Sequence, residues 1–331
     1  AIRQHKEQNT TTQNKVFEKP RKTRRNTITE QNNAITVVGR SIAIKSLLGI
    51  IPSFAGTLAY GVSNRPNSID SSTRLITDNS LQFELGRAAV VGSSLDISEN
   101  NDILVYTATV NDPYQYSIHE VGLFPSGIRN ASIGLAGSLI FDFDRVDLFN
   151  KFGTASASSL VESIEARIGN QLFNLVPTDG TDSFLTYAAN DNTLSEIDRY
   201  VSQDTFRLAG FDINNTAASV NFTFYTDVNN YYNFVFPTPS ASGYFISEIE
   251  KGAAGIVGQP SWKTITSVKM WQNSASSIYL DALKIDFGPY LLDTVTGMIS
   301  RAVLPSPIRK PSGIPLTIEY SLALDFNHGV S

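Results

Sequence analysis

The chain contains no cysteine. Disulfide frameworks, thiolate metal sites and thiol nucleophiles are thereby excluded, and the absence fits folding in a reducing cytoplasm. Histidine is scarce: of three in 331 residues, His5 stands near the N-terminus, His328 near the C-terminus, and only His119 falls in a strand-like run. Neither a G-x-S-x-G elbow nor an H-E-x-x-H motif occurs, so histidine-dependent catalysis has no footing. Carboxylates are available at Asp142, Asp144, Asp147, Glu162, Glu165, Asp281 and Asp286. Glycoside hydrolysis needs two of them facing each other across a cleft, which chain order does not supply, and the expectation is a protein that is not an enzyme. Long apolar runs are missing as well. The longest, around 46–60, is broken by Gly and Pro and falls short of the ~20 residues of a membrane helix. The polar, basic N-terminus carries no apolar signal segment, so no membrane insertion is expected.

Charge is sparse too, at 17% of residues against 41% hydrophobic and 10% aromatic. Ser, Thr and Asn fill much of the balance, a mix that favours many short strands over surface helices. The length suits two domains. A net charge of −5 conceals an asymmetry: residues 1–33 hold eight basic residues and three acids, which leaves −10 for the remainder. This segment reads as an extended basic arm. Its dense stretch Lys19-Pro-Arg-Lys-Thr-Arg-Arg25 offers Arg21, Lys22, Arg24 and Arg25 for contact with a neighbouring subunit; a solvated tail is the equal alternative. No aromatics interleave with these charges, so nucleic acid is not an expected partner.

The folded part begins near Ala34. The run 39–48 fits either a strand pair or one short helix. Strand signals follow at Leu58–Val62, Leu81–Leu85 continuing through Arg87–Val91, Asp102–Val110 and Tyr116–Phe124, with a turn-rich loop at 64–72. The order of these signals carries a resemblance. Leu58-Ala-Tyr-Gly-Val62, a polar loop, Leu81-Gln-Phe-Glu-Leu-Gly-Arg87, a long strand, Ile118-His-Glu-Val-Gly-Leu-Phe124, Ser300-Arg-Ala-Val303 and Leu316-Thr-Ile-Glu-Tyr-Ser-Leu-Ala-Leu-Asp-Phe326 together resemble a module found in bacteriophage tail, fibre and baseplate proteins. About 120 residues are covered, and the order is more specific than any single piece. The departure is a long segment between the fifth signal and the last two. The resemblance implies a structural protein of a phage virion, made in the host bacterial cytoplasm, that assembles with itself and with other virion proteins. Glu120, Arg87 and Arg301 belong to the motif, with Glu120 expected to pair with one of the two arginines. Gly122 is expected to permit close packing or a bulge.

The intervening segment, 137–290, has its own logic. Strand signals at 138–144, 206–211, 218–225, 231–236, 243–247, 262–265, 267–271 and 277–287 show period-2 stretches separated by polar turns, the pattern of a two-sheet jelly roll. Leu160, Ile164 and Ile168 fall at helical spacing, so helix or irregular structure is expected there. The closing run, a Trp strand and then Ile278-Tyr-Leu-Asp-Ala-Leu-Lys-Ile285, resembles that of carbohydrate-binding-module jelly rolls. The expected architecture is all-β: a small β-sandwich (34–136 plus 291–331) split by an inserted jelly roll (137–290), behind an extended N-terminal arm (1–33). A jelly roll of this kind implies a structural calcium, with Asp142 or Asp144 as the early ligand and Asp281 as the late one; an Asp capping a turn or paired with Lys explains the same residues. No cofactor is required. A host surface glycan would stack on exposed aromatics. Among Tyr225, Tyr231, Tyr232, Phe234 and Trp271, alternation puts Tyr232, Phe234 and Phe236 on one face and Tyr231, Asn233 and Val235 on the other. Tyr231, on the more polar side, and Trp271 are the glycan-binding candidates, while Trp262 is expected in the core. A glycan-binding adhesin or depolymerase, and a capsid decoration protein, are the alternative functions.

Overall fold

The structure, a computed structural model, describes residues 2–3, 34–50, 54–64, 80–97, 102–125, 138–142, 152–154, 159–176, 183–188, 194, 196–213, 219–238, 242–272, 276–286 and 297–324. In chain order its strands begin with β1 (Ile2–Arg3), β2 (Ala34–Ile35), β3 (Thr57–Val62), β4 (Phe83–Ile97), β5 (Asp102–Val110) and β6 (Tyr116–Phe124). Then come β7 (Ser138–Asp142), β8 (Phe152–Thr154), β9 (Ser159–Glu162), β10 (Gln171–Leu175), β11 (Ser183–Ala188) and β12 (Thr205–Asp212). The series ends with β13 (Ser219–Asp227), β14 (Asn230–Pro237), β15 (Gly243–Glu250), β16 (Gly255–Val257), β17 (Ser267–Gln272), β18 (Ile278–Asp286), β19 (Ser300–Lys310) and β20 (Leu316–Leu324).

Strands from both ends of the chain join one eight-stranded sheet, ordered β1-β20-β5-β4-β3-β6-β19-β2. Every pairing in it is antiparallel. The sheet folds back on itself: Ser300 Oγ on β19 lies 2.6 Å from the Tyr320 hydroxyl on β20, although four strands separate them in the sheet order. Leu58, Phe83, Ala108, Ile118, Val121, Ile318, Tyr320 and Leu322 fill the space between the two halves. Pro305 and Pro307 interrupt β19 where its register with β6 shifts, between Val303 and Ile308; proline has no N–H for the ladder and is tolerated at such irregularities. Ile2–Arg3, within the segment expected as an arm, pairs with Tyr320 and Glu319 of the same chain.

The run left open between strands and helix is a helix, α1 (Val37–Leu47). Thr36 caps it, accepting from Gly39 N at 2.8 Å and donating to Met298 O. Only Gly39 and Ile42 are buried along its length. Gly39 is there for space: a Cβ would lie 2.2 Å from Ile299 O. In an open helix Gly→Ala gains about 1 kcal/mol. Here the sign should reverse, with Gly39→Ala costing about 1–3 kcal/mol as α1 is pushed off Ile299, the residue before β19, read as a lower urea midpoint.

The residues between form two six-stranded sheets, β15-β12-β18-β10-β9 with β7 on β18, and β16-β14-β13-β17-β11-β8. Their facing sides make an aromatic core. Phe206 from the first sheet meets Phe224 and Phe234 from the second, at 5.8 and 4.8 Å between ring centroids, and Phe222 meets Phe236 at 5.5 Å. Burying each such ring contributes about 1.5–3 kcal/mol. Two expected elements differ. Trp262, read as part of a strand, sits in a 3-10 turn (Trp262–Thr264), half-buried and stacked on Tyr232 at 4.1 Å, so it caps the core's edge. Residues 159–162 form β9 rather than helix, because pairing with β10 satisfies their backbone, and Ile164 is 91% exposed at the following turn.

The first of these sheets packs on the eight-stranded one. Ile168, Ala209, Tyr244 and Ala282 share a core with Tyr116 and Ile118. Charged side chains reach across too: Lys284 Nζ donates to Glu84 O at 2.5 Å, Arg207 Nη1 donates to Leu81 O at 2.8 Å, and Asp286 holds both cations, at 3.1 Å from Arg207 Nε and 2.6 Å from Lys284 Nζ. The second sheet therefore turns its outer face away from this junction.

Candidate functional site

That outer face is laid out by register. Phe222, Phe224, Phe234, Phe236, Val268 and Met270 point into the core, so the alternate residues of β13, β14 and β17 point out. They stand in three rows across β14, β13 and β17: Val235, Asn221, Trp271; then Asn233, Thr223, Lys269; then Tyr231, Tyr225, Ser267. β11 pairs with β17 on its other side, with Phe184 in register with Trp271 and Thr186 with Lys269. Both aromatics singled out from sequence, Tyr231 and Trp271, are on this face, half-buried at opposite corners. Successive residues on one side of a strand are about 6.8 Å apart, so the aromatic rows are roughly 14 Å apart along the strands.

The rows are knit together. Tyr225 and Tyr231 lie 5.1 Å apart between centroids; burial, and then Tyr231, push the Tyr225 hydroxyl pKa upward. Trp271 Nε1 donates to Thr223 Oγ1 at 3.4 Å, and that hydroxyl donates to Asn233 Oδ1 at 2.9 Å. Lys269 Nζ is 5.7 Å from the centre of the Trp271 ring. Asn221 is only 3% exposed, and its Nδ2 has no hydrogen-bond partner among the described residues. Asn233 falls on the Tyr231 side as alternation placed it; Asn221, Thr223 and Lys269 escaped the sequence reading, although the same alternation runs through Ser219–Tyr225 and Ser267–Trp271.

The assembly candidates separate. Arg21, Lys22, Arg24 and Arg25 lie outside the described residues. Glu120 pairs with Arg301, both fully buried, and its Oε1 accepts from Gln82 N at 2.6 Å and Phe83 N at 3.2 Å. Arg87, offered as the other partner, binds Glu84 at 2.6 Å and covers the Phe124 ring at 3.8 Å. In a regular strand residues three apart face opposite sides. Here Tyr60 pairs with Gly86 and Gly61 with Glu84, so Leu85 is a bulge that brings Glu84 and Arg87 to the same side. Gly122 serves close packing, as expected: a Cβ would meet Met298 Sδ at 2.8 Å and Leu81 Cδ2 at 3.1 Å.

The acids expected to hold calcium meet at the junction between the sheets. Asp142 pairs in register with Ala282, and Asp281 is a bulge residue, skipped between Ala209–Ala282 and Gly210–Leu280. Both are buried. Asp281 Oδ2 accepts from Arg167 N at 3.0 Å, Ile168 N at 3.2 Å and the Tyr244 hydroxyl at 2.5 Å. Burial pushes its pKa up to about 8, with Asp142's charge adding to the effect. Three donors on one oxygen tie down a loop; a calcium cage needs converging oxygen acceptors. Asp144 lies outside the described residues, and among those described no three His, Cys, Asp or Glu gather to hold a metal. Asp142 also lines a polar cleft of about 250 Å³ with Tyr114, Gln115, Gly169, Asn170 and Ser312. No helix of the described residues is long and apolar enough to cross a membrane.

No family model matches the sequence, and no curated protein matches it. Among solved structures the chain is similar to the family 11 carbohydrate-binding module of the cellulosomal cellulase Lic26A-Cel5E of Clostridium thermocellum, at 12% identity and TM-score 0.32, over 46% of this chain and 94% of that one. It is similar to the CBM22-1 xylan-binding domain of Xyn10C from Paenibacillus barcinonensis, at 12% identity and TM-score 0.28, over 46% and 95%. A third similarity is to the enzymatically active domain of tailspike protein 4 from bacteriophage CBA120, at 11% identity and TM-score 0.27, over 44% of this chain and 20% of that one.

Proposed function

We propose that this chain is a non-enzymatic structural protein of a bacteriophage virion whose inserted β-sandwich contacts a glycan. The observation that carries the glycan part is the outer face of β14, β13 and β17. Tyr231 and Tyr225 at one end and Trp271 at the other are separated by Thr, Asn and Lys side chains. Pyranose rings present apolar C–H faces that stack on aromatics, and Tyr225, Tyr231 and Trp271 are half-buried on this face, around a buried, hydrogen-bonded Thr223. The virion part is supported by the tail-module motif, whose strands all fall in the eight-stranded sheet. In this reading the eight-stranded sheet docks on the particle and the junction holds the sandwich with this face outward.

The test is binding of the full chain to a glycan array, repeated with Tyr231→Ala and Trp271→Ala. Each substitution should weaken binding about tenfold, the usual worth of a central aromatic at an interface, with unchanged urea midpoints. Wild-type affinity in both variants would take the glycan off this face, and no glycan bound would remove the glycan role and leave only the virion reading. Mass spectrometry of purified particles tests the latter.

A further inference from the structure

We infer that copies of this chain join head to tail, helix α1 of one packing over the edge strand β9 and its following turn in the next. Two exposed apolar surfaces of opposite charge carry the inference, and neither belongs to the face proposed for a glycan. Helix α1 lacks half of its cover. Its inner side is held at Gly39 and Ile42. Its outer side is apolar as well: Val37, Ile44, Leu47 and Leu48 recur on one side of the helix, and with Ile50 just beyond it they are between 58% and 88% exposed. A helix apolar on both sides calls for cover on both. α1 contains no Asp or Glu, and Arg40 is exposed within the stripe.

Strand β9 presents the complement. It ends its sheet, pairing among the described residues with β10 alone. A bare edge strand is a template for association, and a covering helix is one way proteins close it. Leu160 and Val161 point to opposite sides of the strand, yet both are exposed, and Ile164 in the next turn is 91% exposed. Glu162 and Glu165 are exposed beside them, and no Lys or Arg occurs from 152 to 166. Arg167 turns inward, over the Tyr244 ring at 3.9 Å and donating to Ser63 O. An apolar surface with carboxylates thus matches an apolar surface with a cation.

Within one chain the two surfaces lie apart. Both flanks of α1 are tied to the Phe124 end of β6: Thr36 N donates to Ile299 O, Ile299 N to Leu123 O and Gly56 N to Phe124 O, at 2.9, 2.7 and 2.9 Å. The turn after β9 is tied to the other end, where Ile168 bridges to Tyr116 and Ser117 N donates to Arg167 O. Tyr116 and Leu123 are about 24 Å apart at ~3.4 Å per residue. Two surfaces that match each other and not themselves make a heterologous contact, which closes into a ring or runs on as a filament.

Sedimentation velocity of the full chain over a range of concentrations, as wild type, Leu47→Glu and Ile164→Glu, tests this. Both side chains are almost fully exposed, so both variants should keep the wild-type urea midpoint. Wild type should grow in mass with concentration and loosen in high salt. Each variant alone should associate at least tenfold less tightly, the loss of one buried aliphatic contact. A Leu47→Glu copy keeps a sound β9 surface and an Ile164→Glu copy a sound α1, so an equal mixture should form a two-chain complex and nothing larger. A wild type that stays a single chain, either variant associating like wild type, or a mixture without the two-chain complex would overturn the inference. So would wild type that remains single in solution and sediments with phosphatidylglycerol vesicles, since lipid would then cover α1. The glycan array is unaffected by any of these outcomes.

Discussion

Arg301→Met should take a large share of the stability of the eight-stranded sheet, about 3–5 kcal/mol. Arg301 and Glu120 are both 0% exposed, and their ion pair ties β19, from the end of the chain, to β6. Removing one partner of a buried pair leaves an uncompensated charge and costs about 3–5 kcal/mol, against a total of about 5–15 kcal/mol for a folded domain. The two single losses are not equivalent. Glu120 without Arg301 keeps the amides of Gln82 and Phe83 on its Oε1, so the carboxylate remains partly solvated by the chain. Glu120→Ala strips the guanidinium of its carboxylate and orphans both amides, and should be the worse variant. Glu120→Gln retains an acceptor for the amides and should fall between. Combining Arg301→Met with Glu120→Gln should cost less than the sum of the two, since the buried charge is then gone. Urea unfolding followed by far-UV circular dichroism measures all four. Both tryptophans, Trp262 and Trp271, lie in the inserted sandwich, so fluorescence follows that part separately. A loss under about 1 kcal/mol in Arg301→Met would mean that the pair contributes nothing to holding the two ends of the chain together.

The strands of that sheet were legible because each is a local pattern. Leu58–Val62, Asp102–Val110, Tyr116–Phe124 and Leu316–Leu324 alternate or run apolar between turn residues, and the structure builds strands there. The Glu120–Arg301 partnership was legible only as one of two choices. What decided it was a single bulge at Leu85 that gave Arg87 to Glu84, and a bulge of one residue has no signature in composition. Helix α1 was ambiguous because its apolar residues do not gather on one side: Val37, Ile44 and Leu47 are exposed while Ile42 is buried, so helical periodicity was weak. Trp262 looked like strand because of its neighbours' β-propensity, yet the ring stacked on Tyr232 fixes a 3-10 turn instead.

The outer face of β14, β13 and β17 was legible by halves. Period 2 places each residue on a side of its own strand, which is how Tyr231 was separated from Tyr232. It says nothing of which strand lies beside which. The row joining Thr223 to Lys269 crosses from β13 to β17, and the contact that brings Asp142 beside the Asp281 bulge crosses from β7 to β18. Both are set by long-range sheet topology. The sequence could name Asp142 and Asp281 as partners only through resemblance, and did not show that the protein's own amides and Tyr244 would occupy Asp281 Oδ2.

That occupied carboxylate makes the fold sensitive to pH, and Asp281→Asn should abolish the effect. An unfolded aspartate titrates near 3.9; burial, with Asp142 adding to it, pushes folded Asp281 up to about 8, against the pull of the Tyr244 hydroxyl and the Arg167 and Ile168 amides. Those three donors occupy Oδ2, which leaves Oδ1 as the seat of the proton. Between about pH 4 and pH 8 the folded chain therefore holds a proton that the unfolded chain has lost, and stability falls as pH rises, by up to about 1.4 kcal/mol per pH unit. His119 acts in the opposite sense over part of this range. Burial, and then Arg167, lower its pKa from 6.5 to about 3, so it removes stability as pH falls below 6.5. The two offset each other in the acidic range, and Asp281 acts alone between about 6.5 and 8. Wild type should lose stability across that upper interval while Asp281→Asn stays flat and becomes the more stable of the two at pH 8. Urea midpoints at pH 6.5, 7.2 and 8 decide it, and parallel curves for the two proteins would show that Asp281 is ionised throughout. The consequence would be local first. Asp281 holds the loop whose Arg167 O accepts from Ser117 N at 2.7 Å and whose Gly169 N donates to Gln115 O at 2.9 Å, the hydrogen bonds that fasten the inserted sandwich to β6 and the residue preceding it. At pH 8 the amides of Ser117 and Gly169 should exchange faster in wild type than in Asp281→Asn, because only the wild-type chain then carries the Asp281 charge, buried beside Asp142, beneath that loop.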